Sequence, residues 1–190
     1  LAEQYGLKSV CPMPINLFGP GDNLDPENSH VIPGLIRRFH FAKERGDVET
    51  AVWGTGKVLR EYMHVDDCAD AIIFLSDKFD CGEVVNVAPG TELTTLQTAE
   101  AVAKVVGYKG KLVQDLSKPD GTSRKLASPE IISGLGWKPR INFYDALAAT
   151  YEDFKKETDD RYEVDVNLDI MKGSLDITRV RKPYLKLIKK

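Results

Sequence analysis

The sequence is poor in several things, and each shortage narrows what the chain can be. Its three cysteines, Cys11, Cys68 and Cys81, are an odd number without the pair spacings of a zinc site or a disulfide scaffold. Cys11 falls in an apolar strand pattern and Cys68 in a helical one, so both read as structural filler, and a reducing, cytoplasmic compartment fits. No apolar run approaches the roughly 20 residues of a membrane span. Positive charge is not in excess: the net charge of -3 argues against a nucleic-acid-binding surface. Repeats and low-complexity tracts are absent. There is no G-x-x-G-x-x-G turn of the kind that opens a dinucleotide-binding helix. The first residue is Leu1 rather than Met, and the opening residues read as the tail of a helix already under way, so an internal cut is expected there.

What is present is an ordinary globular composition, 42% apolar and 29% charged over 190 residues, enough for one core and a second small piece. Residues 8 to 17 read as a buried strand and 18 to 29 as a long polar loop. From Val31 to about Glu44, Ile32, Leu35, Ile36, Phe39 and Ala42 recur at helical spacing, with Pro33 in the first turn and Gly46 as the stop. Strands are expected at 49–53, 60–65, 83–88 and 111–114, with Gly54-Thr-Gly56 as a turn. Helices are expected after an Asp66 or Asp67 cap, at 94–106 with a Gly107 stop, near 129–135 and at 143–154. This alternation of strands and helices is an α/β pattern. Beyond Glu157 the character changes. Asp165 to Ile170 alternate like a strand, and from Lys172 onward seven Lys or Arg face one acid, Asp176. That tail reads as an added subdomain, a disordered basic arm or a boundary artefact.

Chemistry is suggested by a few residues. The run Pro14-Ile-Asn-Leu-Phe-Gly-Pro-Gly-Asp-Asn23 carries an apolar strand into a Gly, Pro, Asp and Asn loop, as α/β enzymes do where a strand end meets a ligand. His30 follows within Asn28-Ser-His-Val-Ile-Pro33. A neutral imidazole can take and return a proton, and it can equally serve as a helix cap or a loop hydrogen-bonder. His40 and His64 are weaker, and His64 reads as structural. Arg38 and Arg60 could grip phosphate through charge-assisted bonds, whereas Arg37 reads as a surface residue. Asp120 reads either as a turn residue or as a carboxylate for ligand hydroxyls. Gly54-Thr-Gly56 lacks the third glycine and the following helix of a phosphate loop.

These segments, together with Val52-Trp-Gly-Thr-Gly-Lys-Val-Leu-Arg-Glu-Tyr-Met-His-Val-Asp-Asp67 and Ser117-Lys-Pro-Asp-Gly-Thr122, resemble the GDP-L-fucose synthases over roughly residues 1 to 156. That family consists of NADPH-dependent epimerase-reductases of the extended short-chain dehydrogenase class. The resemblance implies an α/β fold, the C-terminal part of an extended short-chain dehydrogenase: a remnant of a Rossmann-type parallel sheet plus the smaller substrate-binding domain. Residues 1–30 would be the last strand and loop of the dinucleotide-binding domain, 31–157 mainly the nucleotide-sugar-binding domain, and 158–190 a tail outside the resemblance. It implies an acid/base role for His30, NADPH contacts at Pro14, Ile15, Asn16, Leu17 and His30, and GDP-sugar contacts at Arg38, Trp53, Arg60 and Asp120. The glycine turn, the acid/base cysteine and the proton-relaying Tyr-x-x-x-Lys pair are expected upstream of this chain. The full-length enzyme is expected to be a homodimer with no metal, nucleic acid or membrane partner. Two departures stand out: Ile15 where the family has Thr, and Ser123-Arg-Lys-Leu-Ala-Ser128 where it has Pro-Arg-Lys-Leu-Leu-Asp. The alternatives are another nucleotide-sugar epimerase or dehydratase, or a non-catalytic nucleotide-sugar-binding fragment.

Overall fold

The computed structural model describes all residues except 1, 7, 26, 27, 79–81, 170–173 and 182–190, with side chains of 2, 3, 157 and 159 onward also outside the description. The elements in chain order are α1 (Ala2–Tyr5), β1 (Cys11–Pro14), β2 (Asn16–Phe18), α2 (Val31–Arg45), β3 (Glu49–Trp53), β4 (Leu59–Arg60), β5 (Tyr62–His64) and α3 (Val65–Lys78). They continue as β6 (Val84–Val87), β7 (Leu93–Thr94), α4 (Thr95–Val106), β8 (Lys111–Asp115), β9 (Arg124–Lys125), α5 (Glu130–Gly134), α6 (Phe143–Arg161), β10 (Tyr162–Asp169) and β11 (Ser174–Arg181). The chain divides into two units, Leu1–Tyr151 and Glu152–Lys190.

In the first unit the strands pair mostly in parallel: β1 with β6, β2 with β5, and β3 with β8. Short β4 sits between β7, antiparallel, and β9, parallel. The strand expected over 8–17 is therefore two strands with different partners. The Ile15 N–H donates to the Val87 carbonyl at 3.3 Å, so by alternation the odd positions of β1 face β6 and Pro12 and Pro14 face away from it. Proline cannot donate there, which leaves β1 an edge at those positions.

Burial also departs from expectation. Met13 is 54% exposed and Val84 55%, and Cys11 is exposed too. Among the described residues β1 and β6 pair only with each other, and the exposure of Met13 and Val84 leaves part of the pair open to solvent. The inner face does pack: Val85 and Val87 join Met63, Cys68, Ala71, Leu75, Ile132 and Trp137 in one core. A second apolar contact is made where α2, through its buried Ile32, Leu35, Ile36, Phe39 and Ala42 stripe, lies against α4. Both helices stop at left-handed glycines, Gly46 with φ 72° and Gly107 with φ 78°.

The strand expected over 60–65 is interrupted at Glu61, whose side chain is fully buried. Its Oε2 accepts the Ala127 N–H at 2.9 Å and its carbonyl accepts from Asn16 Nδ2 at 2.8 Å, tying β2 to the segment before α5. Asp66 and Asp67 lie inside the first turn of α3 rather than capping it. Asp67 instead accepts the backbone N–H groups of Arg140 and Ile141, at 3.0 and 3.1 Å.

The second unit holds the end of α6 and an antiparallel hairpin, Tyr162 opposite Arg181 through Asp169 opposite Ser174. The strand read at 165–170 is thus β10, shifted toward the amino terminus. The basic run read from Lys172 falls largely outside the described residues.

Candidate functional site

Two cavities meet at the amino end of α2. One, of about 460 Å³, is lined by His30, Arg37, Arg38, Arg45, Phe41 and Trp53 among others. The other, of about 480 Å³, is lined by Ile15, Asn16, Leu17, His30, Arg60 and Tyr62. Ser29, His30 and Val31 border both, so the histidine stands at their junction.

His30 occupies the N-cap position of α2 in extended conformation, but its side chain makes no capping bond. Of the roles open to it in the sequence, helix capping is thus not the one its imidazole performs. The ring is 82% exposed, with Nδ1 4.0 Å from Asp22 Oδ1. A Cβ on Gly34 would lie 3.1 Å from Ser29 Oγ, close enough that the serine hydroxyl would have to shift.

Arg38 projects from α2 toward the end of β3. Its Nη1 donates to the Ala51 carbonyl at 2.9 Å, and its guanidinium lies 4.9 Å from the centre of the Trp53 ring. Burial pushes the Arg38 pKa down, and nearby Asp115 opposes that. Trp53 is 54% exposed and has a second cation over its ring, Lys118 Nζ at 5.4 Å. The pairing of Trp53 with Asp115 brings β3 and the loop after β8 together. The Asp115 carboxyl is held below its ordinary range chiefly by bonds from the Ser117 hydroxyl and N–H, and Lys118 and Arg38 add to that.

Arg60 borders the second cavity. Its Nη1 donates to the Leu59 carbonyl at 2.7 Å, and a Cβ on Gly121 would come within 3.3 Å of Nη2. The adjacent Asp120 borders neither cavity. Its carboxylate accepts the Thr55 N–H at 2.9 Å and the Thr55 hydroxyl at 2.7 Å, and these bonds hold its pKa below the ordinary range. This turn places Gly54 and Gly56 at φ 75° and 73°, where a side chain is disfavoured.

Ile15, Asn16 and Leu17 come together with His30 in the second cavity, while Pro14 is an exposed residue of β1. The Asn16 side-chain amide is turned inward to Glu61. His64 is buried, with Nδ1 accepting the Asp66 N–H at 3.2 Å, a structural placement. His40 Nδ1 lies 3.1 Å from the Tyr151 hydroxyl. One Tyr-x-x-x-Lys spacing does occur within the chain, at Tyr151 and Lys155. Tyr151 is buried on His40, and Lys155 pairs with Glu152 at 2.8 Å, so this is not the relay pair expected upstream. Asp22, Lys118 and Thr55 were not singled out by sequence. Each acts through a partner distant in the chain or across a loop, and composition carries no signal for that. No cluster of His, Cys, Asp or Glu suited to a metal ion occurs among the described residues, and no described helix is long and apolar enough to cross a membrane.

The NAD dependent epimerase/dehydratase family matches residues 1–88. A probable GDP-L-fucose synthase of Oryza sativa subsp. japonica is 54% identical over 149 residues, 78% of this chain and 45% of that protein. The GDP-L-fucose synthase of Escherichia coli (strain K12) is 44% identical over 166 residues, 83% of this chain and 52% of that protein. Among solved structures, a GDP-L-fucose synthetase from Naegleria fowleri bound to NADP superposes with a TM-score of 0.72 at 28% identity, covering 77% of this chain and 46% of that one. The chain spans about half the length of the curated relatives it matches. Residues 1–88 thus match the NAD dependent epimerase/dehydratase family, and most of the chain is similar to about half the length of the GDP-L-fucose synthases it matches.

Proposed function

We propose that the chain is the carboxyl-terminal, substrate-binding portion of a GDP-L-fucose synthase, which converts GDP-4-keto-6-deoxy-D-mannose to GDP-L-fucose by epimerising C3 and C5 and reducing C4 with NADPH. The observation that carries this reading is the junction at His30, with Arg38 and Trp53 bordering one adjoining cavity and Arg60 the other. A diphosphate suits the guanidinium groups, and the Trp53 face suits a base or sugar. The 4-keto group acidifies the hydrogens on its neighbouring carbons. His30 takes such a proton, and the resulting enolate is reprotonated on the opposite face, a task that needs a second acid/base group besides His30. Asp120 supports the site by fixing the turn after Trp53 rather than by a free carboxylate.

For NADPH, the fit rests on Ile15, Asn16 and Leu17 bordering the His30 cavity. The Asn16 amide already bonds the Glu61 carbonyl, so this edge would meet the cofactor through backbone and through the Asn16 carbonyl oxygen, with Pro14 beside it. The cofactor supplies the hydride for C4. Ile15 lacks the Thr hydroxyl of the family but keeps its backbone groups for such contacts. Residues 1–30 are assigned to the dinucleotide-binding domain and 31–157 mainly to the substrate domain; 158–190 carries no assigned role. The full-length protein is read as a cytoplasmic homodimer; the free thiols of Cys11 and Cys68 favour a reducing compartment.

The test has two arms. The 190-residue chain should bind a GDP-sugar in calorimetry yet leave NADPH unoxidised, since it has no glycine turn for the pyrophosphate. In the full-length enzyme, His30→Asn should lower solvent deuterium uptake at C3 and C5 by roughly 10²–10⁴-fold while substrate affinity changes little. Undiminished exchange would reduce His30 to a bystander, and failure of the chain to bind any GDP-sugar would remove the substrate assignment.

A further inference from the structure

His30 is surrounded by an unequal set of charges. The cavities it borders are lined by Arg37, Arg38 and Arg45 on one side and by Arg60 on the other. A third, smaller cavity of about 250 Å³ also touches it, between Leu17 to Asp22 and Val65. Among all the described residues bordering these three spaces, one carboxylate is present, that of Asp22. A histidine that abstracts a proton becomes an imidazolium, and a carboxylate beside it is the group suited to hold that charge.

We propose that Asp22 is the positioning residue for His30: its carboxylate receives the imidazole Nδ1–H and leaves Nε2 as the nitrogen that exchanges protons with the substrate. The inference rests on the acid/base reading of His30 given above. Three features support it. His30 Nδ1 lies 4.0 Å from Asp22 Oδ1, and the Asp22 side chain is only 15% exposed. A small rotation of the exposed ring closes that gap to a hydrogen bond, and such bonds commonly tighten only when a ligand arrives. The described residues between Asp22 and His30 are also tied back on one another. Asp22 Oδ1 accepts the Asn23 N–H at 2.7 Å, Asn23 Oδ1 accepts the Asp25 N–H at 3.0 Å, and Asp25 Oδ1 accepts the Asn28 N–H at 3.0 Å. The Ser29 N–H then donates to the Asp25 carbonyl at 3.0 Å, and Gly21, at φ 80°, turns the chain at the other end. Finally, the His30 ring is not spent on capping α2, so Nδ1 is available for this bond.

The pairing has a chemical consequence. Free neutral histidine favours the proton on Nε2, which would leave the wrong nitrogen basic. A carboxylate at Nδ1 reverses that preference and stabilises the imidazolium once it forms.

Ring ¹⁵N NMR of the 190-residue chain reads the tautomer without any turnover. Neutral His30 should carry its proton on Nδ1, and in Asp22→Asn it should shift toward the Nε2–H form, with His40 and His64 unchanged. Asn keeps an acceptor for the Asn23 N–H, so loss of the loop is not the expected effect; an unaltered Asn23 amide shift checks this, and Asp22→Glu, which keeps the charge, should retain the Nδ1–H form. In the full-length enzyme, Asp22→Asn should cut deuterium uptake at C3 and C5 by roughly tenfold or more, part of the acid/base contribution, with KM nearly constant. Asp22→Glu should recover part of it, and Asp22→Asn added to His30→Asn should cost nothing further. An identical tautomer in wild type and Asp22→Asn, or full exchange in Asp22→Asn when His30→Asn abolishes it, overturns the proposal. Full exchange in His30→Asn itself would instead sink the acid/base reading, whatever the tautomer.

Discussion

Asp120 closes the turn that follows Trp53, a residue bordering the first cavity. The Thr55 hydroxyl and N–H stabilise the carboxylate form, so the folded protein holds this pKa below the ordinary range. The turn's electrostatic support is present at neutral pH and is lost only as acid carries the solution down through that depressed value. A pH titration of the Thr55 amide shift should show its step below the range of an ordinary aspartate, and Asp120→Asn should abolish the step. A step at the ordinary position would mean the bonds do not form in solution. At this scale motif spacing points to His30, Arg38, Trp53 and Arg60, and the structure places them around the two adjoining cavities. The sequence was not informative for how Asp120 is used, because one carboxylate in a Pro-Asp-Gly turn suits a free ligand contact and a bond to Thr55 equally. Asp22 and Lys118 were legible only as loop residues, since nothing local says that a loop returns to His30 or lays an ammonium over an indole.

The helices were legible because their signals are local. α4 has its apolar stripe, its Gly107 stop and a capping box in which the Thr94 hydroxyl accepts the Gln97 N–H at 3.1 Å while Gln97 accepts the Thr94 N–H at 2.8 Å. Thr94→Ala should cost about 1 kcal/mol, lowering Tm by about 2–4 °C in a chain of this size. Thermal melts of the two proteins check it, and an unchanged Tm would mean that water replaces the cap without loss. The strands were less legible. Apolar character in 8–17 reads as burial, yet cover depends on which elements pack on each face, and no local pattern specifies that. The division at Ile15 follows from the two prolines and from Glu61, whose carbonyl and carboxylate each bind a different segment. A buried Glu between two short strands reads in the sequence as an ordinary strand residue.

For the molecule as a whole, the uneven cover of its strands predicts uneven protection. The buried stripe of α4, including Ala99 and Val102, faces α2, whereas β1 lies at an edge with Met13 largely exposed. Hydrogen exchange should therefore be slowest in α4 and the facing side of α2 and faster at Cys11 and Met13, whose bonds to β6 belong to a short, partly exposed ladder. Comparable protection in β1 would show that something covers that face in solution. The parallel pairs and the family fold were readable from the sequence as an α/β alternation; the hairpin of the second unit was only half readable, its second strand lying where basic residues suggested a tail.

The two tryptophans sit in opposite surroundings, and that gives the protein two separable optical reporters. Trp137 is buried in the core, with its indole N–H donating to Asp70 at 2.8 Å, whereas Trp53 stands half in water between Arg38 and Lys118. Emission from Trp137 should be blue and insensitive to aqueous quenchers, and emission from Trp53 redder and readily quenched. A guanine-bearing ligand that displaces Lys118 and stacks on the indole should dim the red component alone, whereas unfolding should shift the blue one. Iodide quenching of Trp53→Phe, which should leave only the protected fluorophore, is the control: if half the remaining light is still quenched, the assignment of the two emitters is wrong.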